Sequence, residues 1–274
     1  MVSSPSLLTR QLARRRGDYG FDEPVWPILL GLVGVIFLVL GFVSFWVFTI
    51  PVLGAICFVC AIIFLFSAAS YVYTTRRGKF QVWAEILLRL GLRGDEQIID
   101  LGCGRGAVLL MAADLLPSGK ATGIDVWKTN EQSGNALAIT QQNAEREGVA
   151  ERVELRTADM QHLPFPDGSF DLVVSSLAIH NIRNPEGRKQ AINEAVRVLK
   201  PGGRLVIADF RETQRYGERL CELGMTEEAH HTLDWRFWYG GPWTATKLVS
   251  ARKPTPFILP ERSALRSFGL TAQQ

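Results

Sequence analysis

The residues best placed to do chemistry are carboxylates that close apolar runs. Ile98-Ile99-Asp100-Leu101-Gly102-Cys103-Gly104-Arg105-Gly106 reads as a buried strand that ends in an acid, followed by a glycine-rich turn that opens a helix. Glycines permit a tight turn and let a ligand approach the backbone, and a helix N-terminus offers free N–H groups. Asp125 ends the next apolar run, Asp159-Met160 follows the third, and Ser175 to Asn181 follows the fourth. The glycine pattern alone is ambiguous, because Gly102, Gly104 and Ala107 also satisfy the dinucleotide template G-x-G-x-x-G/A. The acids narrow the choice. A carboxylate at Asp100 would face a pyrophosphate unfavourably, yet it suits a cofactor that carries an ammonium group. Asp125 is placed to accept from ribose hydroxyls, which both cofactor classes offer. Asp159 can accept from an adenine amino group while Met160 covers the ring. Each acid alone reads equally well as a cap or turn residue. Jointly they occupy the carboxyl ends of three successive strands, where open α/β sheets bind ligands.

The elements that must hold these residues follow from periodicity. From Phe80 onward, short apolar runs alternate with amphipathic stretches, which implies βαβ units and a parallel sheet covered on both faces. A leading helix is expected over Val82–Leu90. Strands are expected at Ile98–Leu101, Ala121–Asp125, Val153–Arg156, Phe170–Ser175 and Arg204–Asp209, with terminal strands at His230–Asp234 and Thr244–Ala251. Helices are expected near 106–115, 136–147, 186–199 and 216–223.

The first third of the chain differs in kind. No charged residue occurs from Pro27 to Tyr73, and Pro51 divides this stretch into two runs, each longer than the ~20 residues that cross a bilayer core as a helix. Arg10, Arg14, Arg15 and Arg16 precede the pair, and Arg76, Arg77 and Lys79 follow it. By the positive-inside rule both ends lie in the cytoplasm, which gives a two-span hairpin in the cytoplasmic membrane with the catalytic part on the cytoplasmic side. Gly31, Gly34, Gly41 and Gly54 offer small surfaces for helix contact, and Trp26, Trp46, Tyr71 and Tyr73 fall near the expected interfaces. The expected organisation is a basic N-terminal segment (1–25), a transmembrane hairpin (26–75), a catalytic domain (76–253) and a proline-containing tail (254–274). Residues 1–79 carry a balance of +4 and the remainder −1, so nothing in the charge suggests a nucleic-acid partner. Cys57, Cys60, Cys103 and Cys221 suggest neither a disulfide framework nor a metal site.

Four segments in order, IIDLGCGRG (98–106), GIDVW (123–127), ADMQHLPFPDGSFDLVVSS (158–176) and EAVRVLKPGGRLVIADF (194–210), make residues 80–253 resemble a class I S-adenosylmethionine-dependent methyltransferase. The chain is most similar to the small-molecule group that includes quinone, sterol and arsenite methyltransferases. That resemblance implies a Rossmann-like, doubly wound seven-stranded sheet whose last strand is antiparallel. It further implies that Asp100, Gly102, Cys103, Gly104 and Gly106 hold the methionine end of the cofactor, that Asp125, Val126 and Trp127 lie at the ribose, and that Asp159 and Met160 lie at the adenine. Ser175 and the segment after it would lie beside the transferable methyl. The polar stretch Trp127 to Asn135 departs from the family pattern and is expected to reshape the ribose side or contribute to a lid. His180, assisted by Asn181, is the candidate to position or deprotonate an acceptor; a loop histidine that only caps or packs is the competing reading. The segment SSLAIHNI lacks the Asn/Asp-Pro-Pro-aromatic signature of exocyclic amine and amide methylation. The expected acceptor is therefore a small molecule, drawn from the bilayer if the hairpin serves to deliver it. A nicotinamide-dependent oxidoreductase and a catalytically silent membrane scaffold are the rival readings. The late aromatics Trp235, Phe237, Trp238, Tyr239 and Trp243 read either as packing or as a mouth touching the membrane.

Overall fold

The computed structural model describes residues 6–128 and 132–255. Thr129, Asn130 and Glu131 of the polar insertion, and the tail from residue 256, lie outside the described residues. The strands are β1 (Gln97–Leu101), β2 (Lys120–Asp125), β3 (Val153–Thr157), β4 (Phe170–Ser176), β5 (Leu199–Asp209), β6 (Thr226–Thr232) and β7 (Lys247–Arg252). They form one sheet in the order β3-β2-β1-β4-β5-β7-β6, with β7 antiparallel to both of its neighbours. The chain winds outward from β1 in both directions, so the carboxyl ends of β1 and β4 flank the point where the strand order reverses. This is where open parallel sheets bind ligands.

Helices α5 (Ala107–Asp114), α6 (Leu137–Glu147), α7 (Pro185–Val198) and α8 (Thr213–Glu222) join the strands. The central strands are apolar on both faces, as a doubly covered sheet requires. Ile98, Leu172 and Val206 pack with α5 on one face, and Ile99, Leu101, Val173 and Ile207 pack with α7 and α8 on the other. Asn184 caps α7 by accepting from Glu186 N, and Pro185 opens the helix where no N–H is needed.

Two helices, Val25–Val47 and Pro51–Arg89, are long and apolar enough to cross a membrane. The first joins α2 (Val25–Phe42) to a π-helical turn. The second joins α3 (Pro51–Tyr73) through a second π-helical turn at Thr74–Gly78 to α4 (Lys79–Arg89). They pack as an antiparallel pair at small residues: a Cβ on Gly34 would meet Leu65, one on Gly41 would meet Phe58, and one on Gly54 would meet Phe45, while Gly31 meets nothing. Most of the pair's large side chains face outward, with Ile62 67% and Phe66 72% exposed. Trp26 and Trp46 are exposed as well, but Tyr71 is buried, stacked on Phe21 and set edge-on to Tyr239.

Both the long helix and the N-terminal segment pack against the sheet. The helix begun at Pro51 does not stop at residue 75. It runs into α4, whose Trp83 is buried and donates through Nε1 to Ser176 Oγ (2.8 Å) at the end of β4. The N-terminal segment likewise packs on the core of the sheet. Helix α1 (Leu7–Ala13) seats Leu12 in the core, and Glu147 accepts from Arg16 N, Gly17 N and the Tyr19 hydroxyl. The terminal strands also shift. β6 begins four residues before its expected start, and residues 233–246 leave the sheet to build an aromatic turn.

Candidate active site

Asp100 is the last polar group of β1 before the turn, fully enclosed, and its Oδ1 has no hydrogen-bond partner. Burial pushes its carboxyl up to about 7, a backbone N–H from Leu109 opposes that rise, and the neighbouring Asp125 charge adds to it. A buried acid without a counter-charge is costly and calls for a cationic or donor-rich ligand. Asp125, at the end of β2, is handled oppositely. Its Oδ2 accepts from Gly104 N (2.8 Å), and its Oδ1 accepts from Trp127 N (2.6 Å) and Asn135 Nδ2 (3.3 Å).

The turn between β1 and α5 needs its glycines. Gly102, Gly104 and Gly106 have φ of 76°, 51° and 86°, all in the left-handed region that side chains resist. A Cβ on Gly102 would collide with Ala178 and press on Met160 Cε; one on Gly104 would strike Gln132 Oε1. Met160 and Ala178 are thus brought directly over the turn. Gly102 N and Cys103 N both donate to Ile124 O, so these two groups stitch the turn to β2. The Cys103 side chain points into the fold near Gly123, and burial together with the two carboxylates pushes its thiol well up, out of the reactive range.

The remaining expected residues are distributed unevenly. Val126 is exposed beyond β2; Trp127 adopts φ 56° and donates through Nε1 to Thr157 Oγ1 (2.8 Å). Asp159 is exposed, and its carboxylate accepts from Gln161 N and Nε2. Ser175 is buried, and its hydroxyl donates to Leu101 O (2.8 Å), which ties β4 to β1 rather than facing a ligand. Leu177, with φ 55°, turns the chain sharply after β4. A second bulky residue held in that region at the same end of the sheet marks the strain common at functional sites.

His180 does not stand alone. The short 3₁₀ turn Ile179–Asn181 sets its Nδ1 2.8 Å from Asp209 Oδ1 at the end of β5, and its backbone N–H donates to Asp209 Oδ2 (3.3 Å). The ring meets Phe210 edge-on at 4.7 Å. Asp209 is fully buried and accepts from Phe210 N (2.8 Å), so its orientation is fixed by the backbone beside it. Asn181 Nδ2 turns back to Leu177 O (3.5 Å). Sequence reasoning passed over Asp209, although it closes the strand beside the one that leads to His180.

A strap lies over the glycine turn. Phe21 and Ser133 exchange hydrogen bonds, and Gln132 Oε1 accepts from Arg105 N (2.9 Å) while its Nε2 donates to Asp22 Oδ1 (3.1 Å). Asp22 Oδ2 pairs with Lys79 Nζ (2.6 Å) and accepts from Tyr239 OH (2.8 Å). The polar insertion therefore lies against the glycine turn, in concert with the N-terminal segment. Among the described residues no group of His, Cys, Asp and Glu could hold a metal ion.

Residues 99–207 match the family model described as a methyltransferase domain. Over this stretch the chain is similar to methyltransferases. It is 35% identical over 123 residues to a demethylmenaquinone methyltransferase of Lactiplantibacillus plantarum, covering 44% of this chain and 48% of that one. It is 30% identical over 148 residues to a ubiquinone/menaquinone biosynthesis C-methyltransferase of a Ruegeria species, covering 53% and 56%. A 27-O-demethylrifamycin SV methyltransferase of Amycolatopsis mediterranei is 34% identical over 154 residues, covering 53% and 52%. The chain spans about half the length of the curated relatives it matches. Among solved structures, a [4+2]-cyclase superposes with a TM-score of 0.52 at 23% identity over 64% of this chain and 83% of that one. A geranyl diphosphate C-methyltransferase of Streptomyces coelicolor superposes with 0.51 at 17% over 63% and 78%. These likenesses establish the fold.

The residues present fit the cofactor. S-Adenosylmethionine carries an ammonium that matches the orphaned Asp100 carboxyl, and a ribose that matches the carboxylate of Asp125. A pyrophosphate would meet two carboxylates here, which weighs against a nicotinamide dinucleotide.

Proposed function

We propose that this chain is a membrane-anchored methyltransferase that moves the methyl of S-adenosylmethionine to a small lipophilic acceptor. The observation that carries the chemistry is the buried Asp100 carboxyl, whose Oδ1 has no partner, beside Asp125. When bound, S-adenosylmethionine supplies an electrophilic methyl on a sulfonium, whose thioether leaves neutral. The chain's own part is to position and to exclude water. Asp100 and Asp125 hold the two polar ends of the cofactor, and Met160 and Ala178 close over Gly102. Positioning of this kind supplies ~7–11 kcal/mol in favourable systems. His180 takes the proton of an acceptor that starts protonated, and Asp209 fixes the ring and stabilises it once charged.

The anchoring rests on the outward-facing apolar side chains of the helix pair, whose span suits a ~30 Å hydrocarbon core. The cytoplasmic face follows from the arginines that flank it. Relatives named for ubiquinone and menaquinone biosynthesis support an acceptor of isoprenoid-quinone character. Calorimetric titration of the full chain in detergent with S-adenosylmethionine and with NADH, beside Asp125→Ala, tests the cofactor. Saturable binding of the sulfonium alone, weakened by the variant, is expected; NADH binding in its place would overturn the reading. An acceptor screen in which demethylated quinones are turned over and water-soluble phenols are not would support the lipophilic class. The reverse preference would sink it.

A further inference from the structure

Residues 233–246, between β6 and β7, leave the sheet and climb the long helix. Arg236 is buried and makes a bidentate pair with Glu85 (2.7 and 2.9 Å). Its carbonyl lies against Gly78, where any side chain would collide with it. One step on, Trp238 O accepts from Thr74 Oγ1 (2.8 Å) and Ser70 Oγ (3.1 Å). Gly240 then sits beside Ser67 of α3 and Leu30 of α2. At 1.5 Å per residue the turn has travelled ~27 Å along the helix from Glu85, the last ~9 Å of it beyond Tyr73 and inside the charge-free span.

Several backbone groups of the tip are met within the turn: Tyr239 O accepts from Thr244 Oγ1, Gly241 O from Thr244 N and Oγ1, and Pro242 O from Ala245 N. Pro242 has no N–H to satisfy. What the tip turns outward is apolar: Pro242 and Trp243, with Trp243 68% exposed. Trp235, 52% exposed, stacks on Tyr73 at the foot of α3. Indoles prefer the boundary between headgroups and hydrocarbon.

We infer that this turn is a third membrane contact, with Pro242 and Trp243 seated in the lipid interface beside the hairpin. The inference rests on the membrane reading of the hairpin, and it adds that the catalytic domain itself is fixed against the bilayer. Tyr239 of the same turn bonds Asp22, whose other oxygen bonds Gln132 over the glycine turn, so the lipid contact and the strap meet at one half-buried carboxylate.

Nitroxide labels on single cysteines of the full chain, in nanodiscs of phosphatidylcholine and phosphatidylglycerol, test it by their relative accessibility to oxygen and to a water-soluble nickel chelate. Cys57 and Cys60 are replaced throughout, Cys221 is replaced except in the variant that carries the label there, and the buried Cys103 stays. Position 243 (Trp243→Cys) is compared with Ile36→Cys in the hairpin and with the exposed native Cys221. Favoured oxygen access at 243 and 36, with favoured nickel access at 221, is the expected result. Lipid-like values at 36 with water-like values at 243 would overturn the third contact while leaving the hairpin in place. Water-like values at 36 would remove the hairpin reading and this inference with it. Trp235→Cys repeats the measurement at a second position of the turn, and cofactor binding by each labelled variant checks its fold.

Discussion

Replacing Asp100 by Asn keeps the shape of the side chain and removes its charge. In the folded chain burial lifts this carboxyl from 3.8 to about 7. At 1.36 kcal/mol per tenfold change in acidity, holding it ionised costs ~4 kcal/mol. The folded pKa lies above the unfolded one, so between about pH 4 and 7 the folded chain binds the extra proton. Stability therefore falls as pH rises through that window and levels off above it. The penalty is under half of its full size at pH 5 and reaches the full ~4 kcal/mol at pH 8.5. Asp100→Asn removes it, and the variant should exceed the parent in stability by that larger margin at pH 8.5 and by less than half of it at pH 5. Denaturant unfolding of the full chain in detergent, followed by tryptophan fluorescence at both pH values, reads the difference. The same variant should bind S-adenosylmethionine at least ~10-fold more weakly, because a charge-assisted hydrogen bond contributes ~1.5–3 kcal/mol. It would thus gain stability where it loses function, as strained sites do. A variant no more stable than the parent at pH 8.5 would refute the burial argument, and unchanged calorimetric affinity would refute the assignment of Asp100 to the cofactor.

Three further outcomes follow from the geometry. His180→Ala should slow single-turnover methyl transfer ~10²-fold or more with cofactor affinity unchanged; an unchanged rate returns His180 to a packing role. Asp209→Asn should lower kcat and leave the KM for S-adenosylmethionine alone, because the carboxylate beside the His180 ring is lost. An unchanged kcat would show that Asp209 does not act through His180. Gly106→Ala puts a side chain at φ 86° against Leu110 and Thr140, and should cost ~2 kcal/mol of stability and weaken cofactor binding. A melting temperature within a degree of the parent's would show that the turn adapts.

The catalytic sheet was legible because its instructions are local. Short apolar runs, amphipathic stretches and a glycine turn each fix a short piece of chain, and alternation of such pieces admits few topologies. On that basis alone β1 to β5 fell within a few residues of their places, except that β5 begins at Leu199, and the acids that close or follow β1, β2 and β3 were singled out. The apolar pair was legible for the same reason, since 47 residues without charge need no tertiary context to be conspicuous. What the sequence left undecided are contacts between residues far apart in the chain. Nothing near Asp22 announces Tyr239, 217 residues later, or Lys79, and nothing near Arg236 announces Glu85. His180 was visible and its partner Asp209 was not, because their pairing arises only when β4 and β5 lie side by side. Likewise the basic N-terminus looked like a free cytoplasmic segment, and the late aromatics read as either packing or membrane mouth. Arg15, Tyr19 and Tyr239 bury their polar ends against acids of other elements, and only the folded chain brings those acids within reach.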